Sequence, residues 1–494
     1  MRLYLYGHEY QYAVEQMLLT LFPEERPEYP EGEPAGNRME IRLNQSGKYT
    51  SATCSLHQGR NVFRGTARAA NDSMTDTLTA DRIRQRLVKN AMYRAALRSG
   101  IPRPPWGALT GVRPGKLMAG LVMQCPDEKT ALHRFMDEYD VSPERAALCL
   151  TTTRQTLRCD ALLEERDICL YVGIPFCPTR CAYCSFVSQS VEKSMHLVEP
   201  FLDALEKEID ATAEQVRKLG LRPVSVYMGG GTPTTLSAEQ LDRLCTGLSG
   251  HFNLGALMEY TVEAGRPDTI TEEKLRVLQR HGVNRVSVNP QTMSDRILEN
   301  IGRKHTAADI VAALDRVRSV GGFAVNMDLI AGLPGDSVSG FRETLEKVLA
   351  LGADNVTVHT LSLKKGSRIT LNQTPIPSAR EVGAMLEYGS ARLRAAGYAP
   401  YYLYRQKFMS GGFENVGWQK DGTVNLYNVV MMEELRSILA MGGGGSTKLI
   451  RPDGGRNLRL TAPKYPLEYI ESIEKTCEDK EKIAAFYLDF LKED

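Results

Sequence analysis

The sequence lacks several things whose absence narrows its chemistry. Lys plus Arg number 61 and Asp plus Glu 60, a net charge of +1. No excess of one sign calls for nucleic acid or an anionic membrane as partner. No apolar run is long enough to span a bilayer, and the start, with His8 and Glu9, lacks the apolar core of a secretory leader. The expectation is a cytoplasmic protein. No tandem repeat is visible beyond a strand–helix rhythm, and no second cysteine pair accompanies the one cysteine cluster. What remains is an ordinary globular composition, 24% charged and 42% hydrophobic, long enough at 494 residues for two or three domains.

Three regions differ in rhythm. Residues 1–165 read as an N-terminal α+β accessory domain. Helices are expected at Tyr10–Leu21, Ala80–Ser99 and from Glu128, and alternating strands at Met39–Leu43 and Val62–Arg68. Its segment Thr110–Lys116 offers Arg113 and Lys116 to an anion, although a turn entering a helix explains it as simply. Residues 366–494 read as a mostly helical region on the substrate side, a candidate lid.

Between them, residues 166–365 alternate short apolar runs with amphipathic stretches. The runs are Ile168–Ile174, Val224–Met228, Tyr260–Glu263, Arg285–Asn289, Phe323–Ile330 and Asn355–Thr360. Six parallel βα units imply an α/β fold, an incomplete (β/α)6 TIM-like barrel.

Ten cysteines are present, and most sit singly among apolar residues, as Cys149, Cys159 and Cys169 do. Cys177, Cys181 and Cys184 instead crowd one loop directly after the first strand. Zinc usually takes four ligands in two pairs, and a disulfide leaves one thiol over. Three thiolates on a 4Fe–4S cluster leave one iron open for a ligand. The other unusual residues also fall at strand ends, where parallel βα folds build their sites. They are Gly229–Thr234, whose exposed N–H groups suit a carboxylate, then Glu263, Gln291 and Asp328.

Cys177-Pro-Thr-Arg-Cys181-Ala-Tyr-Cys184 resembles the cluster loop of the radical S-adenosylmethionine superfamily. With Tyr171–Cys177, Gly229–Thr234 and Asp328–Pro334 it resembles the oxygen-independent coproporphyrinogen III oxidase group. The N-terminal extension and Tyr401–Gln406 are most similar to the coproporphyrinogen dehydrogenase HemZ branch. The resemblance implies S-adenosylmethionine as second cofactor. Tyr171 and Tyr183 would line its site, and Gly230, Gly231 and Thr232 would meet its amino-acid end. Glu263, Gln291, Arg303 and Asp328 would fix its ribose and charged groups.

The implied reaction is oxidative decarboxylation of coproporphyrinogen III propionates to vinyl groups, fed by an electron donor such as flavodoxin or ferredoxin. Lys364, Lys365, Arg405 and Lys407 would meet the propionates, and Tyr402, Tyr404 and Gln406 would share one strand face toward the ring. Two departures keep alternatives open. Phe186 stands where the oxidases carry a further Cys, and Asn425–Val429 lacks the His and Trp of the related haem chaperones. A haem-binding chaperone, or a radical methyltransferase or ring-opening enzyme acting on haem, are those alternatives.

Overall fold

The structure is a computed structural model that describes the chain except for residues 112, 185–188, 363–366, 373, 407–409, 453–454 and 491–494. Phe186, Lys364, Lys365 and Lys407 therefore lie outside the described residues. The chain divides into two compact units, Met1–Leu150 with Arg405–Phe413, and Thr151–Tyr404 with Glu414–Asp494. Among the described residues no helix is long and apolar enough to cross a membrane.

The first unit is a four-stranded sheet, β1 (Arg2–Tyr6), β2 (Arg38–Gln45), β3 (Tyr49–Gln58) and β4 (Asn61–Ala70), in that order. Thr50, Ala52, Cys54 and Leu56 alternate inward along β3, a pattern in small residues that the sequence reading passed over. Helices Gln11–Leu21 and Thr77–Arg98 contribute Met17, Leu18, Leu87 and Met92 to the core against Met39 and Ile41. Asp76 caps the second helix by accepting from the Thr79 amide at 2.9 Å. Helix Pro114–Gln124 starts with its proline in the first turn, as the Thr110–Lys116 segment led one to expect.

Arg405 belongs to this unit, and its predicted role needs correcting. It is buried, donating to the Leu109 carbonyl at 2.5 Å and the Gly412 carbonyl at 2.8 Å, with its guanidinium 5.3 Å from the Trp106 ring. Those carbonyls occupy a group that was expected to face a propionate.

In the second unit the six expected runs are strands: β5 (Asp167–Ile174), β8 (Arg222–Gly230), β9 (Glu259–Glu263), β10 (Arg285–Ser287), β11 (Ala324–Ala331) and β12 (Asn355–Thr360). A pair of two-residue strands, β6 (Phe176–Cys177) and β7 (Gln189–Ser190), lies beside the cysteine loop. Each of the six is parallel to the next. Helices such as Val198–Leu219, Glu272–Arg280 and Ala307–Val320 return the chain between them.

Residues beyond 366 supply helices, Ala379–Ala395 the longest, and both flanks of the sheet. β13 (Ala399–Tyr404) and β14 (Asn415–Gln419) add antiparallel at β12. β15 (Ile438–Gly442) adds a seventh parallel strand beside β5, followed by antiparallel β16 (Ser446–Leu449) and β17 (Leu458–Thr461). The seventh strand was not foreseen, because five residues before a glycine run carry too little pattern to register.

The sheet curls on itself. Tyr401 and Tyr402 of β13 share a core cluster with Cys169 of β5 and Val224 of β8, which lie at the other end of that stretch of sheet. Helix Leu426–Glu433 fills the space between. Its Tyr427 stacks on Tyr227 with centroids 4.4 Å apart. Its first two amides donate to buried Glu259, at 2.7 Å from Leu426 and 3.3 Å from Tyr427. Arg285 stands 3.5 Å from the same carboxylate and also donates to Asn355 and to the Thr423 and Val424 carbonyls. This buried pair ties the β9 and β10 starts to the helix that closes the barrel. Replacing Arg285 by Met leaves Glu259 uncompensated and should cost about 3–5 kcal/mol of stability, read as a lower urea midpoint.

Candidate functional site

The three cysteines leave β5 in a loop fastened to its surroundings at every turn. Cys177 follows Phe176, whose carbonyl accepts from the Thr232 amide at 2.7 Å. The Thr232 hydroxyl reaches Cys177 Sγ at 3.5 Å. The Ala182 amide donates to the Ile301 carbonyl at 2.9 Å and the Cys184 amide to the Cys181 carbonyl at 3.3 Å. All three thiols are free of disulfides and partly exposed, whereas Cys149, Cys159 and Cys169 are buried as expected.

The other predicted residues form a circuit around the strand ends. Gly230 turns with φ +101°, and a side chain there would press on Ile174 and the Tyr171 hydroxyl at 3.3 Å. A Cβ on Gly231 would collide with the Phe176 carbonyl. Glycine is needed here so that the turn can lie against β5. One expectation is corrected: these amides are not exposed donors. Gly231 donates to the Ile174 carbonyl at 2.7 Å, Thr232 to Phe176, and Gly230 to the Glu263 carboxylate. A ligand that approaches this turn meets donors already in use.

Glu263 and Asp328 are pushed in opposite directions. Burial raises the Glu263 carboxyl to about 7, against the hydrogen bond from the Tyr227 hydroxyl at 2.5 Å and with the charge of Asp328 adding to the rise. Burial also opposes ionisation of Asp328, but His359, Asn326 and Thr357 together hold its pKa below the ordinary value. The Asn326 amide donates to it at 2.8 Å and His359 Nε2 lies 3.7 Å away. Near neutral pH the first is poised between forms and the second is ionised, a division that suits two different partners.

Gln291 adopts φ +64° and is pinned on both sides. Its amide donates to the Asp328 carbonyl at 2.8 Å and its carbonyl accepts from Ile330 at 3.0 Å. Asn289 joins β10 to β11 by accepting the Asp328 amide at 3.2 Å, and its own carbonyl accepts from Arg303 at 2.7 Å. Arg303 closes the circuit by donating to the Tyr183 hydroxyl at 3.2 Å and interacting with the Cys181 sulfur. Eleven of the twelve residues expected from the sequence thus stand around one mouth, and Tyr171 lies in the aromatic layer next to it, stacked on Tyr227 with centroids 6.3 Å apart.

Two residues were missed. His359, on the sixth strand, links Asp328 to the Tyr404 hydroxyl, 3.4 Å from its Nδ1. Its signal was the alternation Asn355-Val-Thr357-Val-His359, which aligns it with Thr357 facing Asp328. Arg266, three residues past Glu263, reaches Cys181 Sγ at 3.8 Å, and its signal was an arginine beside a strand-end proline. Tyr402 and Tyr404 do share a face, with rings stacked at 6.2 Å and 7°. β13 ends at Tyr404, so Gln406 falls beyond the strand that was to carry it.

Residues 171–348 match the Radical SAM superfamily. The oxygen-independent coproporphyrinogen-III oxidase-like protein HemZ of Bacillus subtilis is 33% identical over 473 residues, 94% of each chain. The chain belongs to this radical SAM family. Family members also resemble it over shorter stretches. The heme chaperone HemW of Bacillus subtilis is 31% identical over 50% of this chain and 64% of its own. The oxygen-independent coproporphyrinogen III oxidase of Salmonella typhimurium is 33% identical over 49% and 53%. The solved coproporphyrinogen III oxidase HemN of Escherichia coli has a TM-score of 0.51 at 24% identity, covering 65% of this chain and 72% of that one, and shares the fold.

A 4Fe–4S cluster and S-adenosylmethionine are the family's cofactors. The residues fit a cluster: three thiols outside any disulfide stand in one loop, with the Thr232 hydroxyl at Cys177 and the Arg266 and Arg303 guanidiniums at Cys181. Among the described residues no three of His, Cys, Asp and Glu close around a single ion.

Two outcomes follow. Anaerobically reconstituted protein should bind about four irons per chain, and Ala at Cys177, Cys181 or Cys184 should abolish the iron content and the visible absorption. Separately, Glu263 binds its proton more tightly folded than unfolded, so it contributes a loss of stability as pH rises from its ordinary value of 4.5 through about 7. Urea midpoints of cluster-free Glu263→Gln, compared with wild type, should therefore coincide at pH 4 and exceed wild type at pH 8.

Proposed function

We propose that the chain carries out oxygen-independent oxidative decarboxylation of coproporphyrinogen III, turning two propionates into vinyl groups to give protoporphyrinogen IX in the cytoplasm. The observation that carries this reading is the closed circuit from Cys177 through Gly230, Glu263, Asp328, Asn289 and Arg303 to Cys181. It supports an adenosylmethionine site beside the cluster loop. The similarity to an oxidase-like relative along 94% of both chains supports the substrate class.

The cluster that Cys177, Cys181 and Cys184 would hold, together with S-adenosylmethionine and a reducing donor such as flavodoxin or ferredoxin, would supply radical chemistry able to remove a hydrogen atom from a propionate side chain. Carbon dioxide and one further electron, passed to an acceptor, then leave the vinyl group. The chain's own residues do the positioning. Ionised Asp328 accepts from hydroxyl groups, and Glu263 in its protonated form donates. The turn at Gly230–Thr232 packs tightly enough to leave the ligand's adjoining atoms against backbone. Tyr402 and Tyr404 offer a flat apolar wall with polar ends, which suits a porphyrinogen. His359, with a quarter of its side chain exposed beside Tyr404, is a cation-capable group at that wall.

A haem-binding chaperone is the second reading, favoured by 31% identity to HemW over half of this chain. Against it, Asn425–Val429 here serves the barrel interior. Asn425 accepts from the Asn428 amide at 2.9 Å to cap its helix, and Tyr427 is stacked on Tyr227.

Carbon dioxide and protoporphyrinogen should be released by reconstituted wild type with coproporphyrinogen III, adenosylmethionine and reductant under anaerobic conditions. Stoichiometric haem binding with no carbon dioxide would decide for the chaperone. Asp328→Asn should keep its iron while 5′-deoxyadenosine formation falls roughly ten- to hundredfold, the value of one charged hydrogen bond.

A further inference from the structure

We propose that Arg266 sets the reduction potential of the cluster, acting through Cys181, and that Asp268 moderates it. The inference depends on the cluster and is independent of the substrate.

Arg266 is 3% exposed, and its guanidinium is committed along every edge. Nη1 points to Cys181 Sγ at 3.8 Å and the Thr179 carbonyl at 3.4 Å. Nη2 donates to the Thr179 hydroxyl at 3.0 Å, and Nε to Asp268 Oδ1 at 3.2 Å. Its backbone is held too, since its carbonyl accepts from the Thr269 hydroxyl at 2.8 Å and the Thr269 amide at 3.0 Å. A planar fork serves all these partners at once, which an ammonium cannot do. The charge therefore has one address, beside one cluster ligand.

The surroundings do not cancel it. Arg303 brings a second guanidinium to the same sulfur. Asp268 is the facing carboxylate, and it is partly exposed. His305 lies in the same pocket, 3.8 Å from Asp268, buried and with neither ring nitrogen in a hydrogen bond. Burial, then Arg303 and Arg266, keep that imidazole neutral. Two guanidiniums, both buried, and one partly exposed carboxylate thus stand around Cys181.

Reduction adds an electron to the cluster. A fixed positive charge stabilises the reduced form more than the oxidised one, and does so strongly where the dielectric is low. Hydrogen bonds to a ligand sulfur act in the same direction. Arg266 therefore raises the potential and brings the cluster within reach of its donor.

The test is an anaerobic redox titration of reconstituted protein followed by the paramagnetic resonance of the reduced cluster, with iron assayed on the same samples. Arg266→Gln, with full iron, should shift the reduction equilibrium against the reduced form by on the order of tenfold, about 59 mV toward negative potential for one electron. Arg266→Lys should lie nearer to wild type. A wild-type potential in fully loaded Arg266→Gln overturns the proposal, as does a Lys variant shifted as far as the Gln variant. Asp268→Asn leaves the cluster loop's own contacts in place and should shift the potential the opposite way. If Arg266→Gln does not retain iron, this second variant decides, with a positive shift upholding the proposal and an unchanged potential overturning it.

Discussion

Three thiolates from one short loop repel one another, and among its described residues only the short β6–β7 pair gives that loop regular structure of its own. The fold answers that constraint from outside the loop. Thr232 reaches Cys177 from the end of β8, and Arg266 and Arg303 reach Cys181 from beyond β9 and β10. The Ile301 carbonyl fixes Ala182 between the second and third cysteines. Thr232 and Arg266 follow the carboxyl ends of β8 and β9, and Ile301 and Arg303 follow the helix Asp295–Asn300 after β10, so the segments beyond three successive strands set where the Cys177 and Cys181 sulfurs lie. Reading outward from the thiols therefore recovers the barrel, one strand at a time.

The interior is zoned. Toward the strand starts, Arg285 pairs with Glu259 at 3.5 Å and donates to Asn355, while Glu259 accepts from the start of helix Leu426–Glu433. Above them lies an aromatic layer of Tyr171, Tyr227 and Tyr427. Above that, Glu263, Asp328, His359 and Asn289 form the polar mouth. The aromatic layer keeps two acidic sites apart in a narrow space. It also links them to the mouth, because the Tyr227 ring that stacks below donates its hydroxyl to Glu263 above. Chemistry at the mouth rests on a floor that cannot be loosened without disturbing a carboxylate.

Six of the seven parallel strands, β5 and β8 to β12, were legible because each is a buried apolar run set between stretches of helical period. The cysteines, Glu263, Gln291 and Asp328 were legible because strand ends mark where such folds place ligands. The sequence misled in two places for the same reason, that hydrogen-bond supply is invisible in one dimension. Arg405 looked available for a propionate, but the carbonyls of Leu109 and Gly412 take it. The Gly230–Thr232 amides looked free, but β5 and Glu263 use them. His359 and Arg266 went unseen because a lone His in a strand and an Arg beside Pro are usually ordinary. Only contact with Asp328 and Cys181 sets them apart.

β5 carries the cysteine loop on one end and lies between β8 and β15, pairing Cys169 with Ser225 on one side and with Ile438 on the other. The first neighbour is close in sequence and the second is very far. A ribosome therefore finishes eight strands of this sheet, β5 and β8 to β14, well before it delivers the strand that covers the open edge of the first. During that interval the edge of the strand that carries the cysteine loop stands open to pairing with other chains. The order of synthesis thus makes Ile438–Gly442 a late seal, and oxygen or premature strand exchange has its opening before that seal is set.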